Sequence, residues 1–506
     1  MGISQKSDAA ATRGRERVLV RADVRAARLI SLLMPLCVLG WLALLTVRER
    51  LGYGAVAPGR FGWSVALLVA AALIARGIFL GRPVTTGHAM VAAAAVAAGL
   101  CAHFLSFGAL GNVLVAGSGL ALMWPTAARP QPELLGQVWA LVNATRGDPL
   151  APFAMHSSKS YHLNAEKSAA IAYRTRLGFA VVSGDPIGDV TQFEDLVADF
   201  VRMCRGRGWQ IIVLAGGERH LGLWRKKTVG VPMLAVPIGR DVVVDVRRFT
   251  LTGRRYRNLR QAVQRTHNRG VTTEIVDERE LDDALAGELT EVLYAAHRAA
   301  RTERGFCMSL DGALQGRYPG IRLAVARDRR GRVVAFHRYA TAGEGSEVSL
   351  DVPFRRPDAP NGIDERLSVD MITDAKIHGA LRLSLAFAAF PEIFDAARPG
   401  PLQRMAYRLI HLLDPLIRLE SLYRYLSKFH ALAQRRYVVL CVHHIPAALV
   451  VLLSLEFMPH PRRGRQRGSG GIGRVRRRRA KPEPAARDHL GYHPHIVRFL
   501  GRRPRQ

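Results

Sequence analysis

Four apolar runs fill most of the first 125 residues, and they restrict the fold more than any other feature of this chain. Residues 29–47 carry no charge, and residues 61–80 carry only Arg76 near one end. Residues 88–105 and 107–124 form two more runs around a break at Ser106. The hydrocarbon core of a bilayer takes about 20 apolar residues of helix. The first two runs meet that length. The last two are shorter and rich in Ala and Gly, a composition that suits a closely packed hairpin because small residues let backbones approach. The expectation is a membrane domain at 29–125 with about four transmembrane helices. A cleaved leader is not expected, since the stretch before the first run is too long and further spans follow. Arg13, Arg15, Arg17, Arg21, Arg25 and Arg28 lie in a basic N-terminus at 1–28, and Arg129 follows the fourth run. Positive flanks favour the cytoplasmic side, so an even number of spans leaves both the N-terminus and everything after residue 125 in the cytoplasm. Arg48 and Arg50 oppose this and are outnumbered.

The pattern changes after Pro125, Pro130 and Pro132, which mark a linker at 126–145. Short strand-like runs then alternate with amphipathic helical stretches. Strands are expected at 169–173, 179–183, 210–214, 233–237, 242–246, 272–276, 322–326, 333–339, 348–351, 382–385 and 436–441. Helices are expected at 192–205, 254–268, 280–301 and 363–378, near 402–417 and at 421–430. This mixture over about 300 residues predicts an α+β domain at 146–458, built as two similar lobes. The apolar run at 446–455 is short for a span and reads as a core or interfacial helix. No internal repeat is visible at the level of identity.

Charge limits the partners. Lys and Arg total 73 against 41 Asp and Glu, a formal charge of +32. The tail at 459–506 contributes 15 basic residues against Glu483 and Asp488, so the excess also resides in the rest of the chain. Such a balance favours polyanions, nucleic acid or anionic lipid. Only eight of the basic residues are Lys, so arginine-rich compositional drift is the competing explanation. The five cysteines are widely spaced with no CxxC, which argues against a disulfide framework or structural zinc. His156, His297, His337 and His378 show no metal-binding spacing, and neither a GxSxG elbow nor a Walker loop occurs. No metal and no cofactor is expected.

Three segments carry chemistry. In GDPIGD (184–189) glycines sit between a strand and a helix that Asp189 or Thr191 would cap; a tight turn and a phosphate loop both read this way. In TGRRYRNLRQAVQR (252–265) helical spacing puts Arg254, Arg257, Gln261, Gln264 and Arg265 near one face, with Leu259, Ala262 and Val263 on the other. A basic stripe backed by an apolar one suits a helix that rests on a core and faces phosphates, although a solvated surface has the same pattern. SLDVPFRRPDAPNG (349–362) begins on a strand and ends in a proline-stiffened loop. Its carboxylate and arginine pair suit an amine and a phosphate, or a structural ion pair.

Taken in order, these and six further pieces resemble the cytoplasmic domain of bacterial aminoacyl-phosphatidylglycerol synthases, the multiple peptide resistance factor family. The other pieces are LAPFAMHSSKSYHL (150–163), AAIAYR (169–174), LAGGERHLGLWRK (214–226), ERGFCMSL (303–310), VARDRRGRVVAFHRY (325–339) and LYRYLSKFHALAQRRYVVL (422–440). About 290 residues are covered. The resemblance implies two acetyltransferase-like (GNAT) lobes in tandem. It implies transfer of an aminoacyl group, lysyl or another, from aminoacyl-tRNA to the glycerol hydroxyl of phosphatidylglycerol. A less anionic membrane and resistance to antimicrobial peptides would follow. Lys159, Asp351 and Arg356 are the implied catalytic positions. Arg254, Arg257, Asn258, Arg260, Arg355, Asn361, Gly362 and Asp185 are the implied substrate-binding ones. Coenzyme A is not implied: the acetyltransferase loop pattern [QR]xxGx[GA] occurs only at Arg465–Gly470, outside any strand–helix context.

The chain departs from the family in two places. Four spans are few beside the larger membrane part that flips the lipid in full-length members. Past Asn361–Gly362 the chain reads IDERL, so Asp364 or Glu365 stands where the family has an acidic residue in an apolar run. The donor amino acid stays open. The alternatives are the same lobes acting on another lipid or a cell-wall acceptor, and a membrane-tethered tRNA- or lipid-binding protein without catalysis.

Overall fold

A computed structural model describes residues 58–299, 307–389 and 419–456, with shorter pieces at 18–20, 391 and within 33–47. The basic N-terminus at 1–28 apart from 18–20, part of the first apolar run, the helix expected near 402–417 and the tail at 459–506 lie outside the described residues. The described residues within 33–47 are helical, and three bounded apolar helices follow among the described residues: α1 (Pro58–Phe79), α2 (Thr86–Phe104) and α3 (Gly108–Met123). Two stretches, Gly62–Phe79 and Thr86–Phe104, are long and apolar enough to cross a bilayer, whereas α3 is shorter. The expected hairpin is present in α2 and α3. Their closeness depends on glycine: a Cβ on Gly111 would stand 2.8 Å from the Gly99 carbonyl oxygen, and one on Gly119 would stand 2.5 Å from that of Ala70 on α1. Large apolar side chains such as Phe104, Phe107, Leu110 and Val113 face outward from this group.

Residues 135–144, read from sequence as linker, form helix α4 (Leu135–Ala144). Val138, Leu141 and Val142 recur at helical spacing and are buried in the core, so the folded domain begins earlier than the prolines suggest.

Val18–Val20 and Val84–Thr85 form a small antiparallel pair, and the described strands from Ser160 onward make one mixed sheet. In chain order they are β1 (Ser160–Leu163), β2 (Ala169–Arg176), β3 (Phe179–Ser183), β4 (Gln210–Gly217), β5 (Met233–Asp245) and β6 (Thr272–Asp277). They continue with β7 (Ile321–Arg327), β8 (Val333–Ala342), β9 (Glu347–Arg355), β10 (Arg382–Ala389) and β11 (Leu432–Cys441). The spatial order is β1-β2-β3-β4-β11-β5-β10-β9-β8-β7-β6, and the short strand Ile187–Gly188 pairs with β2. β5 joins the two strands expected at 233–237 and 242–246 into one. β1 and Ile187–Gly188 escaped the sequence reading because both are too short to show a period.

Each lobe repeats one plan. In the first, α5 (Phe193–Gly206) joins β3 to β4, which lie parallel. In the second, α8 (Ile363–Ile377) joins β9 to the parallel β10. The central strands are exchanged. β5 follows the first lobe in sequence but pairs with β10 of the second. β11 follows the second but pairs with β4 of the first, and β5 and β11 also pair with each other. The expected α+β pair of similar lobes is therefore present as topology, which identity between the halves could not reveal.

Helices close the layers. α6 (Arg257–Asn268), α8 and α9 (Leu419–Ser427) cover one face of the second lobe. α4, α7 (Asp283–Ala299) and α10 (Ile445–Glu456) share the core on the other face with the loops at 151–155 and 307–318.

Candidate active site

Side chains alternate across a strand, so the sheet sorts the residues singled out from sequence onto two faces. Lys159 and Asp351 lie in the polar layer between the lobes. Arg254, Arg257, Asn258, Arg260, Arg355, Asn361 and Gly362 gather around α6 and the start of α8 on the opposite face.

Lys159 is fully buried after the turn Ala151–Met155. Its Nζ donates to the Phe153 carbonyl at 2.7 Å and to Ser183 Oγ at 2.6 Å. Ser183 Oγ in turn lies 3.4 Å from Cys307 Sγ. Three residues further on, the Leu310 amide donates to Asp351 Oδ1 at 2.8 Å. The segment beginning at Cys307 thus links Lys159 of the first lobe to Asp351 of the second. It continues to Asp311, which accepts from the Ser157 amide at 3.0 Å, from Arg317 at 2.5 Å and from the Tyr318 hydroxyl. His156 stands 3.6 Å from Asp311. Burial, and then the charge of Lys159, push its pKa down to about 4.

Asp351 owes its position to two local irregularities. The β8–β9 register jumps from Arg338↔Val352 to Tyr339↔Leu350, which leaves Asp351 as the extra residue of a bulge, a device that re-aims a side chain. β9 and β10 pair only from Glu347 to Ser349, so Asp351 stands two residues past the point where the parallel strands part. Buried Arg338 donates to Asp351 at 2.8 Å and to Glu278 at 2.6 Å. Burial raises the Asp351 pKa to about 6 against the pull of Arg338.

The first lobe carries a carboxylate in the matching place. β3 and β4 pair as far as Ser183, and Asp185 follows two residues later. Asp185 accepts from the Gly217 amide at 2.9 Å and lies 3.1 Å from His220. It shares buried Arg436 with Asp148 and Asp241, at 3.4, 2.6 and 2.7 Å respectively. Burial opposes the charge of Arg436, but these three carboxylates raise its pKa. Asp241 is itself pushed up to about 6 by burial. Asp185, read from sequence as substrate-binding, is thus engaged in a buried ionic cluster. Sequence reasoning missed Arg338, Glu278, Arg436, Asp148 and Asp241. The one available signal was the repeated Ser-x-Asp at 183–185 and 349–351, each at a strand end. Asp241 also lines a cavity of about 420 Å³ with Gly147, Asp245, Arg247, Glu347, Arg382 and Gln434, where β5, β10 and β11 meet.

Arg355 and Arg356 separate onto different partners. Arg355 pairs at 3.1 Å with Asp364 at the start of α8. Arg356, expected beside Asp351, instead donates to the Val333 carbonyl at 3.1 Å and to Glu291 of α7 at 2.8 Å. Asp364 also meets buried His337 at 3.1 Å. Burial opposes its charge, but His337, Arg355 and Lys428 hold its pKa low. α6 starts at Arg257 and not at 254 as expected, so Arg254 lies in the turn before it; Leu259, Ala262 and Val263 are buried as expected, and Arg254, Arg257 and Asn258 are exposed. Arg260, implied as substrate-binding, instead turns its guanidinium onto the carbonyls of Leu251 and Gly253 at 2.6 Å each. Gly362 has φ +95°, and a Cβ there would stand 2.5 Å from the Ala262 carbonyl oxygen, so α8 starts against α6 only through glycine.

Residues 139–440 match the family described as phosphatidylglycerol lysyltransferase, C-terminal. The chain is 61% identical over 452 residues to the MprF-like domain protein Rv1619 of Mycobacterium tuberculosis, covering 89% of this chain and 93% of that one. It is 32% identical over 285 residues to the lysylphosphatidylglycerol biosynthesis bifunctional protein LysX of Rhodococcus jostii. That match takes in 55% of this chain and only 25% of LysX. Two solved structures share the fold. The C-terminal domain of a putative lysylphosphatidylglycerol synthetase from Agrobacterium fabrum superposes with TM-score 0.55 at 22% identity, over 64% of this chain and 98% of that one. L-PGS from Bacillus licheniformis superposes with TM-score 0.53 at 19% identity, over 65% and 98%.

Proposed function

The chain belongs to the phosphatidylglycerol lysyltransferase C-terminal family, an aminoacyltransferase family, and from that membership we propose that it moves an aminoacyl group from aminoacyl-tRNA to phosphatidylglycerol. The reaction takes place at the cytoplasmic face of the membrane, with about four helices in the first 125 residues as the anchor. The observation that carries this reading is that the family match contains the whole polar layer holding Lys159 and Asp351.

The donor ester is already activated, so the lipid hydroxyl attacks the aminoacyl carbonyl directly. The new ester bond forms as the ribose oxygen leaves, and the hydroxyl proton passes to that oxygen. Asp351, at the parting of β9 and β10, receives the donor's α-ammonium. Lys159 lies across the same layer as a fixed positive charge that favours the developing oxyanion. Arg254, just before α6, and Arg257 and Asn258 at its start, all exposed, hold the tRNA acceptor end through its phosphates. Arg355, Asn361 and Gly362 complete that phosphate-facing surface at the start of α8. Arg356, Arg260 and Asp185 support the architecture through the bonds described above.

The test is transfer by the purified full chain in phosphatidylglycerol vesicles, with each labelled aminoacyl-tRNA supplied in turn. An RNase-sensitive aminolipid confirms the activity and names the amino acid. The same protein carrying Asp351→Asn should make no product while still binding tRNA. A folded wild-type chain that binds tRNA but forms no lipid product with any donor would favour the non-catalytic alternative. Product on a different lipid would favour the alternative acceptor.

A further inference from the structure

Helix α10 is apolar on every side, yet only one side is covered. Ala448, Val451 and Leu455 are buried against the inter-lobe core. Ile445, Leu449, Val450 and Leu453, at 42–58% exposure, form a stripe along the opposite side. A helix of this composition is normally enclosed. Twelve residues extend only about 18 Å, too short for a span of about 30 Å. Leu234 and Val236 add exposed apolar surface on the neighbouring strand, where they pair with Leu440 and Val438 just ahead of the helix.

The start of α10 lies near the place where the chain leaves the apolar helices for the sheet domain. His444, at the start of α10, packs edge-on to Phe179 at 5.7 Å. The turn just before Phe179 touches the ends of α1 and α3: a Cβ on Gly178 would stand 3.2 Å from the Arg82 guanidinium and 3.4 Å from Pro125. Arg82 in turn donates to the Met123 carbonyl at 2.7 Å. Leu177, in the same turn, is half exposed. In sequence, Arg462, Arg463, Arg465 and Arg467 follow within eleven residues of the helix. An apolar stripe followed by a basic cluster is the pair of signals that holds a helix at an anionic surface.

We propose that α10 lies in the headgroup layer of an anionic bilayer, with Ile445, Leu449, Val450 and Leu453 in the acyl boundary. It is a second membrane contact that seats the sheet domain on the surface carrying its lipid acceptor. This rests on the membrane placement of α1–α3 in the reading above.

The test uses the full chain in phosphatidylglycerol-containing vesicles, with Cys37, Cys101 and Cys441 replaced. An environment-sensitive fluorophore is placed at Val450→Cys, at Leu453→Cys, at Val113→Cys on α3, or at Arg265→Cys on the exposed face of α6. Lipid-borne nitroxides should quench the probes at 450 and 453 several-fold more than the one at 265, and aqueous iodide should do the reverse. If the probe at 113 is quenched by lipid but those at 450 and 453 behave like 265, the α10 proposal fails and the membrane reading stands. If 113 also behaves like 265, the membrane reading itself fails. Leu449→Glu with Val450→Glu supplies a kinetic arm. The apparent KM for vesicle-embedded phosphatidylglycerol should rise several-fold, with kcat on detergent-dispersed lipid unchanged. An unchanged KM would overturn the proposal.

Discussion

At the residue scale the chain spends its burial on charge. Asp351 is the clearest case, with a pKa near 6. If its ionised form receives the donor ammonium, kcat/KM for aminoacyl-tRNA should fall as pH drops below about 6, and Asp351→Asn should abolish the pH step along with the activity. Arg436 gives a stability prediction. Removing one partner from a buried ionic cluster typically costs about 3–5 kcal/mol, because the remaining charges lose their compensation. Arg436→Met should therefore lower the melting temperature sharply at pH 7.5. Asp241 binds its proton more tightly folded than unfolded, since its folded pKa is about 6 against an ordinary value of about 3.9. Its contribution favours the fold at low pH and is lost as pH rises from about 4 to 6. The Arg436→Met deficit should accordingly shrink near pH 5, where Asp241 protonates and sheds part of the repulsion. A deficit of equal size at both pH values would contradict this. None of these pairings was legible in the sequence, because the partners of Arg436 lie 195, 251 and 288 residues away from it.

At the element scale the sequence was more informative. The apolar side of α6 and the helix α8 sit where the sequence put them; α6 buries one stripe, which period 3.6 records directly, and α8 is buried around most of its circumference. What periodicity could not show is how closely the two helices approach. Gly362→Ala should cost about 1–3 kcal/mol, since it adds a Cβ against the Ala262 carbonyl at positive φ; thermal melts of the two proteins measure it. The exposed arginines at and just before the start of α6 carry a separate prediction. Arg254→Ala with Arg257→Ala should weaken tRNA binding and reduce the slope of log K against log salt by about 0.7–0.9 for each phosphate left without its arginine. Titrations at several salt concentrations would detect this, and an unchanged slope would mean that the stripe is only solvated surface. Arg260 shows the limit of reading a residue's role from the motif it stands in: it is implied as substrate-binding, but its guanidinium closes the preceding loop.

At the scale of the whole molecule, exchange of β5 and β11 ties the lobes together. Each lobe completes its sheet with a strand that the chain places after the other. Residues 126–230 and 231–456 expressed separately should therefore fail to fold, because each would expose an unpaired edge and half of the shared core. The joined domain should unfold in one calorimetric transition whose van't Hoff and calorimetric enthalpies agree. Two resolved transitions would show that the lobes are independent.

The sequence by itself determined the apolar helices, the α+β alternation, the two amphipathic faces and, through ordered motifs, the family. Each of these is written in neighbours along the chain, as run length, period or local spelling. Only the tertiary structure decided which charged residues meet. It put Lys159 and Asp351 on one layer, turned Arg356 toward α7, drew Asp185 into the Arg436 cluster and left one side of α10 bare. Those outcomes follow from strand register, from a one-residue bulge and from pairing between distant strands. A shift of one residue in register reverses every side chain, and no local pattern in the chain records it.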